Sequence, residues 1–121
     1  MKTIKTMIIE NNVCNALFYE SCGVDRIFID LESMGKQERQ GHLNTFISTH
    51  KLSDLEQMRD TVTSAQIITR VNPINSSSKK EIEEVISFGT DLIMLPMFKS
   101  DRDVRKFIPY VKGIAKVSLL K

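Results

Sequence analysis

Gly23-Val24-Asp25-Arg26-Ile27-Phe28-Ile29-Asp30 and, later in the chain, Gly89-Thr90-Asp91-Leu92-Ile93-Met94-Leu95 share one order of events: a glycine that ends a helix, an aspartate, then an apolar run. The repeated unit is helix to strand. Repetition of that unit implies parallel strands joined by helical crossovers, because parallel neighbours cannot be joined by a tight hairpin. The apolar runs are continuous and do not alternate with polar residues, which is the pattern of strands buried on both faces. The reading is therefore an α/β fold with a parallel sheet.

The flanking sequence fits the same series. Strands are predicted over 4–9, 26–30, 66–71 and 91–95, with a fifth apolar run at Ala115-Lys116-Val117-Ser118-Leu119-Leu120-Lys121. Asn12 is a suitable N-cap for a helix over 13–21, and Gly23 is a suitable stop. Ser53-Asp54-Leu55-Glu56 has capping-box spacing for a second helix to about Val62, and Ser78-Lys79-Lys80-Glu81 for a third. That third helix carries Ile82, Val85 and Ile86 at the spacing of a helix laid on a sheet. A fourth starts at Ser100-Asp101-Arg102-Asp103 and carries Val104, Phe107, Ile108 and Val111, with Pro109 expected to kink or shorten it. The longest connection is the polar stretch over 31–49.

Two closures fit such a series: an open doubly wound, flavodoxin-like sheet, or part of a (β/α)8 barrel. A whole barrel typically takes about 250 residues, so four and a half units make roughly half of one. No helix, turn or cap follows the fifth run. The expectation is one partial domain over 1–121, interrupted in strand five, with strands one and five as open edges and apolar surface left uncovered. Self-association or a complementing chain is the predicted consequence.

The 121 residues, 41% hydrophobic and 26% charged, supply one core and not two. Net charge is +2, and the basic residues are spread along the chain, so no nucleic-acid footprint is present. No apolar run reaches membrane-spanning length, and the start has too short an apolar core for a signal peptide, which predicts a cytoplasmic protein. Cys14 and Cys22 lack any CxxC or Cys/His grouping and read as buried reduced thiols.

In either closure ligands sit at the carboxyl ends of the strands. The polar residues there are Glu10, Asp30, Glu32, Arg70, Asn72 and Lys99. Asp30 and Glu32 flank Leu31, and an extended backbone turns both carboxylates to one side. Such a pair can orient a basic group, hold a water or contribute to a metal site; the bland alternative is a turn aspartate beside a solvated glutamate. Arg70 ends an apolar strand, where a permanent charge with five donors needs a bidentate partner. That partner is Asp30 or Glu32 in a structural ion pair, or a substrate carboxylate or enolate. Lys99 and Lys121 lack any sign of the burial that a Schiff-base lysine needs. His42 and His50 lie in or beside the long connection and read as solvated or as local hydrogen-bond partners. Ser76-Ser77-Ser78 is a loop and cap, not a phosphate cradle.

Three segments, Gly23 through Glu32, Thr69-Arg70-Val71-Asn72-Pro73 and Asp91-Leu92-Ile93-Met94-Leu95-Pro96-Met97, together resemble the HpcH/HpaI aldolase and citrate lyase beta-subunit family. The resemblance implies a phosphoenolpyruvate-binding type of TIM barrel that makes or breaks carbon-carbon bonds next to a keto or thioester group. Its small-molecule partner is a keto acid or acyl-CoA, and its usual cofactor Mg2+ or another divalent metal. Arg70 matches the arginine that holds the pyruvyl carboxylate or enolate oxygen; Asp30 and Glu32 match the acidic pair beside it, and Asn72 the lyase branch. Ser33 stands where the aldolase branch has a histidine base. The family's metal ligands lie beyond strands five and six, so this chain alone is expected to bind no metal usefully and to be inactive by itself.

Overall fold

The computed structural model describes residues 4–33, 50–112 and 116–119, the last four by backbone alone. Strands β1 (Met7–Ile9), β2 (Arg26–Asp30), β3 (Gln66–Arg70), β4 (Leu92–Leu95) and β5 (Lys116–Leu119) alternate with helices α1 (Val13–Ser21), α2 (Leu52–Thr61), α3 (Ser78–Ser87) and α4 (Asp101–Val111). The sheet is parallel throughout, in the order β1-β2-β3-β4-β5. Sequential order removes the doubly wound alternative. Such a sheet must reverse its strand order at a switch point, and here each strand is added on the same side as the last.

Register divides the side chains between two faces. Ile27, Ile29, Ile67, Ile93 and Leu95 join Leu55, Met58, Ile82, Val85, Phe107 and Val111 in the core between sheet and helices. The opposite face carries Phe28, Ile68, Leu92 and Met94, cross-strand neighbours that form a second buried cluster. None of these four is more than 5% exposed. The uncovered apolar surface expected of a partial barrel is thus not found at these four positions. The large apolar residues left exposed concentrate instead on the first unit, at Ile4, Met7, Ile9, Leu17 and Phe18, beside the β1 edge.

The repeated Gly-x-Asp segment has a physical explanation. Gly23 and Gly89 adopt φ of +94° and +99°, which L side chains avoid. Each closes its helix with a pair of bonds: Val24 N–H to Tyr19 O with Gly23 N–H to Glu20 O, and Thr90 N–H to Val85 O with Gly89 N–H to Ile86 O. The aspartate that follows caps a neighbouring strand. Asp25 Oδ2 accepts from Thr6 N–H at 2.8 Å, and Asp91 Oδ2 from Ile67 N–H at 2.8 Å. Asp91 also takes Arg59 Nη1 at 2.9 Å, while Arg59 donates to Gly89 O and Val62 O.

A Cβ at Gly89 would meet the Arg59 stem, whereas one at Gly23 would meet nothing. Gly23→Ala should cost about 1 kcal/mol from the left-handed backbone alone. Gly89→Ala should cost at least about twice that, because it also dislodges Arg59. Equal melting temperatures for the two variants would contradict this placement.

Several boundaries differ from expectation. Helix α2 starts at Leu52 and its N-cap is Lys51, whose N–H is taken by Asp54 Oδ2 at 2.8 Å; Ser53 lies within the helix. Ser77, not Ser78, holds the N-cap position of α3, with no side-chain cap bond, while Ser78 Oγ accepts from Asn75 N–H at 2.8 Å. Helix α4 runs through Pro109 to Val111, so the proline does not shorten it. Cys14 and Cys22 are exposed, since α1 turns Val13, Ala16 and Tyr19 toward the core. Among the described residues, no helix is long and apolar enough to cross a membrane.

Glu20, near the end of α1, ties that helix to the loop before β3. Its Oε2 accepts from the N–H groups of Ala65, Ser64 and Thr63 at 2.8, 2.7 and 3.1 Å. These donors, Ala65 first, hold the carboxyl below its usual pKa despite some desolvation. A lowered folded-state pKa gives stability that is present above the unfolded value and lost as pH falls through the folded one. The melting temperature difference between the protein and Glu20→Gln should therefore be largest at neutral pH and shrink in acid. A difference that grows in acid would contradict the assignment.

Candidate functional site

Asp30 and Arg70 are the last residues of β2 and β3, and the parallel register makes them direct neighbours. Both lie two residues beyond members of the second cluster, Phe28 and Ile68, so alternation turns them to that face at the carboxyl ends of the strands. Arg70 Nε and Nη2 donate to Asp30 Oδ1 and Oδ2 at 3.0 and 2.7 Å. The Arg70 guanidinium also lies 5.3 Å from the Phe28 ring centroid. The Asp30 side chain is 1% exposed and that of Arg70 25%. Asp30 hydrogen bonding raises the Arg70 pKa above its ordinary value against desolvation, with smaller help from the charges of Asp30 and Glu32.

Of the two structural partners open to Arg70, its hydrogen bonds select Asp30. Arg70 Nη1 has no acceptor among the described residues, so part of the fork remains for another anion. Glu32 is 3% exposed and is therefore not a solvated glutamate. Its N–H donates to Asp30 Oδ1 at 3.1 Å, and Leu31 N–H donates to Arg70 O at 2.9 Å, so the turn after β2 is fixed from both sides.

Asn72 braces that turn. Its Oδ1 accepts from Ser33 N–H at 2.7 Å, and its Nδ2 donates to Glu81 Oε2 at 2.9 Å. The Asn72 N–H also faces both Glu81 oxygens, at 3.2 and 3.3 Å. Burial raises the Glu81 pKa, while the Asn72 donors pull it down. Asn72 and Glu81, with Asn75, Ser77, Lys80 and Glu84, line an open cleft of about 330 Å³. The described contacts give Asn72 a bracing position between β2 and α3. Glu81, which the sequence offers only as part of a cap, is the residue that holds it.

His50 was not among the site residues expected from sequence. Its Nδ1 accepts from Asp30 N–H at 3.0 Å, which brings the entry of α2 back to the carboxyl end of β2. No motif spacing signals this contact, because the sequence between the two positions is polar and unpatterned. Glu10 Oε2 accepts from the N–H groups of Asn11 and Asn12, both at 3.1 Å, and so shapes the start of α1. Lys99 is exposed, and its N–H donates to Asp103 at 3.0 Å. Nearby, Met97 has φ +52°, in the left-handed region that residues other than glycine seldom adopt. His42 and Lys121 lie outside the described residues.

The described residues do not assemble a site for the magnesium that the family resemblance implies. Both oxygens of Asp30 are engaged by Arg70, and no group of three or more His, Cys, Asp or Glu suited to a metal occurs among the described residues.

No family model matches the chain, and no curated protein matches it in sequence. Solved structures do resemble it. Phosphoribosyl anthranilate isomerase from Thermotoga maritima matches with a TM-score of 0.54 at 14% identity, over 98% of this chain and 63% of that chain. A phosphoribosyl anthranilate isomerase in complex with reduced 1-(o-carboxyphenylamino)-1-deoxyribulose 5-phosphate gives 0.51 at 14% identity, over 98% of this chain and 66% of that chain. The chain thus spans just under two thirds of the length of either. At this identity the likeness carries fold and not chemistry: a parallel α/β sheet of the TIM-barrel type.

Proposed function

We propose that the chain forms a contiguous part, about half, of a (β/α)8 barrel and carries the carboxylate-holding side of a carbon-carbon lyase site. The observation that carries this reading is the Asp30–Arg70 pair: a guanidinium fixed by a buried carboxylate, inward-facing, at the strand ends where barrel enzymes bind ligands. The resemblance to the HpcH/HpaI aldolase and citrate lyase beta-subunit family supplies the reaction class. In a retro-aldol cleavage the substrate hydroxyl gives its proton to solvent water and becomes the carbonyl of the departing aldehyde as the carbon-carbon bond breaks. Its electron pair passes to the keto oxygen, and the enolate takes a proton at carbon to give the keto acid. Arg70 offers fixed positive charge where that enolate develops. Asp30 holds the fork in plane, and Asn72 with Glu32 shapes the wall beside it.

Calorimetric titration with sodium pyruvate and sodium oxalate, with and without magnesium chloride, tests the reading. Saturable binding that Arg70→Lys abolishes is expected. Failure of both anions to bind the folded protein would contradict it.

A non-catalytic assembly role is favoured by a separate observation. Strands β1 and β5 are the sheet's edges, and exposed Ile4, Met7, Ile9, Leu17 and Phe18 surround the first of them. Self-association, or capture of a complementing chain, follows from that surface. Sedimentation should show species larger than a monomer at tens of micromolar, roughly the scale at which such edges associate. A single compact monomer would count against it.

A further inference from the structure

The Asn72 amide has two unlike ends, and its two neighbours use one each. Nδ2 donates to Glu81 Oε2 at 2.9 Å, while Oδ1 accepts from Ser33 N–H at 2.7 Å and from Ser33 Oγ at 3.3 Å. An ionised carboxylate only accepts, so it must be met by the donor end of the amide. The charge on Glu81 therefore decides which end is left for Ser33.

That choice reaches the strand ends through the backbone of the turn. The N–H of Glu32, the residue before Ser33, donates to the same Asp30 Oδ1 that accepts from Arg70 Nε, at 3.1 and 3.0 Å. Leu31 N–H donates to Arg70 O at 2.9 Å. A turn released at Ser33 loosens the bonds that set Asp30 against the guanidinium.

Protonation of Glu81 removes the constraint. A carboxylic acid also donates and can meet either end of the amide, while its carbonyl still accepts from the Asn72 N–H that faces both oxygens at 3.2 and 3.3 Å. An Asn72 amide turned over would set its Nδ2 protons against Ser33 N–H, donor against donor. Burial, the largest cause, lifts the Glu81 pKa above its ordinary value; the Asn72 donors oppose the rise and the charge of Glu84 adds to it. Lys80 lines the same open cleft, the loop over 72–75 carries no titratable group, and the turn after β2 carries Glu32.

We propose that the Glu81 carboxylate, acting through Asn72, holds the turn after β2 in the form that presents Arg70 to an anion, and that protonation of Glu81 weakens the site. Glu81 is then a positioning residue, and this regulation rests on the lyase reading above. Binding is full where Glu81 is ionised and falls as acid neutralises it.

The test follows the whole chain by proton-nitrogen NMR as pH is lowered from neutral, with calorimetric titration of sodium pyruvate, whose carboxylate stays ionised throughout. Ser33 N–H and the Asn72 Nδ2 protons should move with one midpoint, above the usual glutamate range. Pyruvate should bind about 5- to 10-fold more weakly below that midpoint than above it, a coupling at the low end of the usual range between two sites. Glu81→Gln, which keeps the shape and lacks the charge, should show the weaker affinity on both sides. A Ser33 N–H that does not move as Glu81 titrates, or a pyruvate affinity unchanged across the midpoint, would overturn the proposal, and these measurements on the unaltered protein decide it if Glu81→Gln does not fold. Pyruvate binding that needs Arg70 but is undiminished in folded Glu81→Gln would sink the proposal and leave the lyase reading standing. Absence of pyruvate binding at every pH would remove both.

Discussion

Arg70→Lys is expected to lower the retro-aldol rate constant of the assembled barrel by about 100- to 1000-fold, the usual cost of removing one preorganised oxyanion donor. An enolate exists only as the carbon-carbon bond breaks, so a guanidinium aimed at its oxygen acts more strongly on the transition state than on the bound substrate. Lysine keeps the charge and loses the planar fork, which here binds Asp30 through two nitrogens and leaves Nη1 for a further acceptor. A purely structural ion pair makes the opposite forecast: a lower melting temperature with kcat nearly intact in the folded fraction. Steady-state kinetics and thermal melts on the same Arg70→Lys preparation separate the two, and a destabilised protein with normal kcat would end the catalytic assignment.

The largest stability effect is expected at Asp30. Its side chain is 1% exposed and accepts from Arg70 Nε, Arg70 Nη2 and Glu32 N–H. Asp30→Ala leaves a guanidinium three-quarters buried beside Phe28 with no counter-charge bonded to it. Breaking a buried pair from one side costs about 3–5 kcal/mol. Partial exposure of Arg70 puts this case near 3, or about 10 °C in melting temperature for a domain of this size. Removing both partners should be milder than the sum of the single losses, because the double variant strands no charge. A double-mutant cycle with Arg70→Ala measures that coupling. Strict additivity would mean that the pair contributes nothing to the fold.

Most of the architecture was legible in the sequence because it is written in local chemistry. Glycines with positive φ, the Asn12 cap and uninterrupted apolar strands each act within a few residues, and helix α1 and strand β2 fall where these signals put them. Errors arose where a side chain bonds outside its own element. Asp54 takes the Lys51 N–H, Ser78 takes the Asn75 N–H, and Glu81 reaches back to Asn72, so each apparent capping box has a different occupant from the one its spacing suggests.

The site divided in the same way. Alternation along β2 and β3 was enough to bring Asp30 to Arg70, since both end their strands and the register pairs them. Its choice over Glu32 depended on the turn after β2, where the Glu32 N–H folds back onto Asp30. For His50 the sequence allowed a solvated side chain or a hydrogen-bond partner; it is the latter, but twenty positions separate it from Asp30 and no spacing names that partner.

The most direct measurement of the central claim is a crystal structure of the chain with sodium oxalate. The account expects an oxalate carboxylate within hydrogen-bond distance of Arg70 Nη1, at the carboxyl ends of β2 and β3, with the Asp30 bonds to Nε and Nη2 retained. Oxalate bound elsewhere, or an Arg70 that contacts Asp30 alone in crystals saturated with the anion, would contradict it.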